Sequence, residues 1–174
     1  MRPWFEIVTD LDEGREVLRR RRYGVIEAAD GQLREVLLRP FPKVVSAPGI
    51  LLFGAWHHEH CATDRCLLYY NQSWRFPNYL GLIYFVSGRR TSFGTVCRAL
   101  ETLDRIAEIK RTDALLCDVA NWRLSPRILA RWGWEPHCPS RWHRNYIKRF
   151  YGEYPSATPS DSPQSPQAWH KCRG

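Results

Sequence analysis

No stretch of this 174-residue chain approaches the roughly 20 consecutive apolar residues that a membrane-spanning helix needs. The two most apolar runs, residues 49–56 and 79–86, have the length of strands. The first fourteen residues carry acidic side chains where a secretory signal would have its apolar region, so a cytoplasmic protein off the membrane is expected. No Cys-x-x-Cys pair occurs among the six cysteines, at positions 61, 66, 97, 117, 138 and 172. Without a secretory context their even number does not imply disulfides. Cys97 and Cys117 fall in apolar periodic segments and read as small buried hydrophobes. No internal repeat is present. Acidic residues are the minority, 18 against 26 Lys and Arg, and Arg far outnumbers Lys. A net charge of +8 attracts polyanions: nucleic acid, an acidic membrane surface, or the phosphates of a cofactor. What is present is ordinary for a soluble globular chain, with 44% hydrophobic and 25% charged residues and length for one domain with a real core. Eight Trp is high, and a ring whose N–H needs a partner suits a pocket or rim better than the deep core.

Hydrophobic periodicity and turn residues divide the chain into alternating elements. Residues 4–8 read as a strand. Thr9 or Asp10 then caps a helix running to about Tyr23 and Gly24, with Asp10 and Glu13 in capping-box spacing and Arg19 to Arg22 as a solvated, dipole-complementing last turn. Residues 25–28 and 35–39 flank Asp30-Gly31, a hairpin signal. Residues 49–56 and 66–70 are expected as neighbouring antiparallel strands, and 79–86, the most apolar run, as the central strand. From Phe93 to Lys110-Arg111 a helix is expected to bury Phe93, Val96, Cys97, Leu100, Leu103, Ile106 and Ala107 on one face. A strand over 114–119, a helix over 125–132 closed by Gly133, and a strand over 145–151 complete the order. The fold class is therefore α+β, a mixed central sheet flanked by helices in one domain over residues 1–152. Residues 153–174 are rich in Pro and Ser and almost without aliphatics, and are expected to be a disordered tail.

The C-terminal part of this order, residues 79–150, resembles the GNAT acyltransferase superfamily. The resemblance lies in a strand ending near Asn121, a short helix, and Gly133-Trp134 in place of the family's Gly-aromatic pair. It implies an acyl-coenzyme A co-substrate, acetyl-coenzyme A or another, whose acyl group passes to an unidentified amine. It also implies a V-shaped opening between the strands that begin at Tyr79 and Ala114. The family's loop after the central strand carries an Arg/Gln-x-x-Gly-x-Gly/Ala pattern that lets amides at a helix N-terminus bind pyrophosphate. Here Gly94 matches the first glycine, Thr91 stands at the Arg/Gln position and Val96 at the last glycine. The resemblance places the cofactor on Arg89, Arg90, Gly94 and Thr95, the thioester carbonyl on the backbone near Phe85, Val86 and Ser87, and Asn121 at the neighbouring strand end. Leu129 occupies the position of the family's proton-donating Tyr. For the base that deprotonates the amine, His58 and Glu59 are candidates, because they succeed a strand taken to lie beside the central one.

Two other readings compete. His57, His58, His60, Cys61 and Cys66 are suitable zinc donors within ten residues, and His137, Cys138 and His143 form a second cluster, but the spacing fits no zinc motif and no metal is expected. The alternative from another class is a non-catalytic module for nucleic acid or a protein partner. Trp74-Arg75-Phe76 and Arg141-Trp142-His143-Arg144 interleave rings and cations as a base-stacking surface does, or as rim Trp packed on Arg stems does.

Overall fold

A computed structural model describes residues 4–42, 64–119, 126–138 and 144–155. Eight strands form one mixed sheet: β1 (Glu6–Val8), β2 (Tyr23–Ala29), β3 (Gln32–Arg39), β4 (Arg65–Gln72), β5 (Tyr79–Ser87), β6 (Ala114–Asp118), β7 (Glu135–Pro136) and β8 (Asn145–Arg149), in the order β1-β3-β2-β4-β5-β6-β8-β7. Three helices accompany it among the described residues: α1 (Arg15–Arg20), α2 (Phe93–Lys110) and α3 (Pro126–Arg131). Among the described residues only β5 and β6 pair in parallel. The chain is thus α+β with a mixed sheet, and the strand–helix–strand–helix–strand succession from β5 to β8 is the one the GNAT resemblance implies.

The β2–β3 hairpin turns at Asp30 and Gly31, both at positive φ, as the Asp-Gly signal requires. Strand β5 lies inside the sheet, flanked by β4 and β6. The expected partner of β4, residues 49–56, lies outside the described residues. Both edges of β4 are instead taken, by β2 and β5, so the sheet order is not sequential. β3 and β4 both run antiparallel to β2, hence parallel to each other.

The first helix is shorter than its pattern. Asp10 does cap, its Oδ1 accepting the N–H groups of Asp12 and Glu13 at 2.8 and 3.2 Å, but it starts a turn that becomes helical only at Arg15. At the other end Arg21 is already extended and β2 starts at Tyr23, because strand pairing overrides helix propensity there. Nor is the Arg run merely solvated. Arg20 and Arg21 grip Glu6 of β1, Arg19 Nε donates to the Ile109 carbonyl, and Arg22 donates to the Ser73 carbonyl.

α2 packs on β2, β3 and β4 over a core that includes Ile26, Val36, Leu38, Leu68, Tyr70, Leu103 and Ile106. Each fully buried side chain of this kind contributes about 1.5–3 kcal/mol of apolar transfer. The buried stripe of α2 is rotated from the expected one: it runs through Thr95, Ala99, Thr102, Leu103, Ile106 and Ala107, while Phe93 is 68% exposed. On its flank Asp104 Oδ2 accepts from Lys148 Nζ at 2.6 Å, tying α2 to β8. Gly133, at φ +79°, closes α3. Residues 153–155 are not loose: Tyr154 packs on Phe150 and donates from its hydroxyl to the Thr112 carbonyl at 2.8 Å.

Candidate acyl-transfer site

β5 and β6 share four rungs, from Tyr79↔Ala114 to Leu82↔Cys117, and then part. Among the described residues β5 continues to Ser87 paired with β4 alone, while β6 ends at Asp118 against Asn145. The cause lies on the other edge of β5. Tyr69 pairs with Tyr84 but Tyr70 with Leu82, so Ile83 is an extra residue. Such a bulge bends its strand and raises the local twist. Here it acts one residue past the last rung with β6. It also reverses the side-chain parity, so Phe85 lies opposite Leu68 and packs on the core. The result is a V-shaped opening with Phe85, Val86 and Ser87 on one arm. Along that arm alternate backbone groups face no strand among the described residues, an edge that suits an extended, amide-bearing ligand.

The loop from β5 to α2 stands at the mouth of the V. Thr91 folds it on itself: its hydroxyl accepts from the Gly88 N–H at 2.8 Å and donates to the Arg65 carbonyl at 2.7 Å. Ser92 is the N-cap, its Oγ accepting the Thr95 N–H at 3.2 Å. Thr95 itself is fully buried, and its Oγ1 bonds the Gly31 N–H and Ser92 Oγ. It therefore leaves the set of phosphate-facing residues. Gly94 is exposed, and a Cβ there would meet nothing closer than 3.9 Å. The N–H groups of Phe93 and Gly94 have no partner among the described residues. Arg89 and Arg90 are exposed beside them.

One carboxylate enters this cationic mouth. Asp64 Oδ1 accepts the Ser92 N–H at 2.7 Å, and that bond holds the Asp64 carboxyl below its usual range. The helix entrance is thus partly occupied by a negative charge. Phe93 stacks on Trp132 with centroids 6.0 Å apart, holding the end of α3 beside the start of α2. Leu129 is buried in the core. Asn121, His58 and Glu59 lie outside the described residues.

On the sheet face away from α2 a cleft of about 1030 Å³ begins at the apex of the V. Its floor is Gly81, Ile83, Leu116 and Ile147, and its outer wall is Trp74, Arg75 and Phe76. Side chains two residues apart along a strand share a face. Leu116, Ile147 and Glu135 form one cross-strand row on the cleft face. The next row toward the apex is Asp118, Asn145 and His137, since Asp118 pairs with Asn145 and the His137 N–H donates to the Asn145 carbonyl at 2.9 Å. His137, which lines the cleft, was legible in the sequence only as a remote metal donor; the strand β7 that aims it has two residues and no pattern of its own. Its Nε2 lies 3.5 Å from Cys138 Sγ.

No group of three or more metal-binding side chains occurs among the described residues. Cys66, a member of the rival zinc set, faces the core with no exposure, and burial pushes its thiol up to about 12. The Arg22 guanidinium lies 3.8 Å over the Trp74 ring, and Trp74 Nε1 donates to the Tyr23 hydroxyl at 3.0 Å.

No protein-family model and no curated protein matches this chain. Among solved structures it is similar to the crystal structure of nourseothricin acetyltransferase, over 84% of this chain and 99% of that one, at 16% identity and a TM-score of 0.38. So loose a superposition carries no argument about substrate or residues.

Proposed function

We propose that this protein is an acyl-coenzyme A-dependent N-acyltransferase of the GNAT kind. One observation carries the reading: the parallel pair β5 and β6 opens at a bulge, with a cationic loop at the mouth of the opening and a cleft at its apex. An acyl-coenzyme A enters from the loop side. Arg89 and Arg90 meet its phosphates by side chain, with the Phe93 and Gly94 amides behind them, and backbone groups near Phe85, Val86 and Ser87 hold the thioester carbonyl. The acceptor amine comes from the cleft. Its nitrogen attacks the carbonyl carbon, the C–S bond breaks, the thiolate leaves, and the amine's surplus proton passes to a base. His137 is the base this geometry offers, since imidazole suits proton transfer near neutral pH; His58 and Glu59 are those the sequence offers. With Leu129 at the family's Tyr position, the thiolate takes its proton from water.

Thermal denaturation with and without about 1 mM acetyl-coenzyme A tests the reading. A ligand at 100 times its dissociation constant stabilises by about 2.7 kcal/mol. A clear upward shift, lost in Arg89→Ala with Arg90→Ala, is the expected result. No shift with any acyl-coenzyme A refutes it. Asp64 favours a second reading, a scaffold that keeps the fold and binds without turnover, because its carboxylate opposes a phosphate at the entrance of α2.

A further inference from the structure

The cleft has two ends of different chemistry. At the apex of the V are Ile83 and the His137 row. At the other end the β4–β5 connection raises Trp74, Arg75 and Phe76, with the two rings 74% and 56% exposed. Between them Tyr79, Gly81 and Ile83 alternate along β5 on the cleft face. Gly81 leaves that floor low; a Cβ there would meet Ile83 Cδ1 at 3.2 Å. The path from Ile83 to Tyr79 spans four residues, roughly 13 Å of strand. Exposed rings gathered in one cleft mark a ligand surface rather than stray apolar residues. Arg22 covers one face of Trp74 and Tyr23 takes its N–H, so this ring is held in place.

The charges lining the cleft decide what the rings receive. Asp113 accepts from the Asn78 amide, and Arg149 pairs with Glu135 at 2.7 Å. Arg75 has no carboxylate partner among the described residues. Asp113 keeps its charge behind the Asn78 amide at the start of β6, but the charge that stands between the two rings in the chain is Arg75, so a group bound against the rings meets a cation. We infer that the acceptor is an extended amine whose far end, roughly 10 Å or more from the nitrogen, carries an aromatic ring and a negative charge. The ring lies against Trp74 and Phe76, the anion meets Arg75, and the amine reaches the apex. This rests on the proposed reading of the V as the acyl-coenzyme A site.

The tripeptide Gly-Gly-Phe has these three features at this spacing. Its binding is measured by calorimetry on the full chain without coenzyme, beside Gly-Gly-Phe amide, Gly-Gly-Ala and spermidine. Thiol release from acetyl-coenzyme A is then monitored with each. Gly-Gly-Phe is expected to bind tightest. Trp74→Ala should weaken it about tenfold. Arg75→Ala should weaken it about threefold and abolish its advantage over the amide. Tighter binding of spermidine or Gly-Gly-Ala, or unchanged binding in Trp74→Ala, overturns the inference. So does preferential, steeply salt-dependent binding of a single-stranded oligonucleotide. Binding of Gly-Gly-Phe without thiol release leaves the ligand chemistry standing and sinks the transferase reading. Release with spermidine alone does the reverse.

Discussion

Asp64 shows what a single carboxylate does at a helix entrance. The local sequence suffices for the Ser92 N-cap, because capping needs only the short spacing from Ser92 to Thr95. It cannot show that Asp64, 28 residues away, takes the Ser92 N–H, since that contact depends on how β4 and α2 are brought together. The same distance hides the fate of Thr95, whose hydroxyl is fixed by Gly31. If acyl-coenzyme A phosphates sit at this entrance, Asp64 repels them. Asp64→Asn keeps an oxygen for the Ser92 N–H and removes the charge. Its acetyl-coenzyme A dissociation constant, measured by calorimetry at low salt, is expected to fall about two- to fivefold, an exposed charge interaction being modest and screened. A dissociation constant unmoved by the substitution places the phosphates elsewhere.

At the scale of elements, α2 is tied down at its C-terminal end by a partly buried lysine. Lys110 Nζ donates to the Arg21 carbonyl at 2.6 Å and to Gln72 Oε1 at 3.1 Å, joining the helix to the start of β2 and the end of β4. Burial, with the nearby Arg22 charge, lowers its pKa to about 8. In the unfolded chain a lysine titrates near 10.4. Between these values the unfolded state holds the proton more often than the native one, so the Lys110 contribution to stability rises with pH from about 8 to about 10.4. Cys66, Cys117 and Tyr70 act oppositely as pH rises, because burial keeps them protonated in the native state. The difference between parent and Lys110→Met isolates the lysine. Urea denaturation at pH 7.5 and pH 10 should show the parent gaining on the variant by about 2–3 kcal/mol across that interval. A constant difference contradicts the assignment. The extent of α2 is legible from its period, but its rotation is not. Phe93 and Val96 are as apolar as the residues that are buried, and only the sheet beneath decides that Thr95 and Ala99 face inward.

For the molecule as a whole, tertiary contacts extend past Gly152, where the composition changes. The Pro- and Ser-rich character begins after Gly152, yet the Tyr154 hydroxyl donates to the Thr112 carbonyl and its ring packs at a tilt on Phe150. A chain ending at residue 155 should melt with the full-length protein. One ending at 152 should lose about 1–2 kcal/mol, a melting temperature lower by several degrees in differential scanning calorimetry. Equal melting of the two would show that Tyr154 contributes nothing. The approximate positions of the strands other than β7, the Asp30-Gly31 hairpin, the span of α2, the Gly133 stop and the α+β class can be read from the sequence alone, because each is set by residues near one another in the chain. The tertiary structure alone decides the rest. It inserts β2 between β3 and β4, so the sheet order is not sequential. It places the bulge at Ile83, invisible in an apolar run without alternation, and that bulge opens β5 from β6. It also sets Asp64 at the mouth and His137 at the apex. These features depend on which strands pair and in what register, and register is settled by burying the whole sheet face at once rather than by any local stretch of residues.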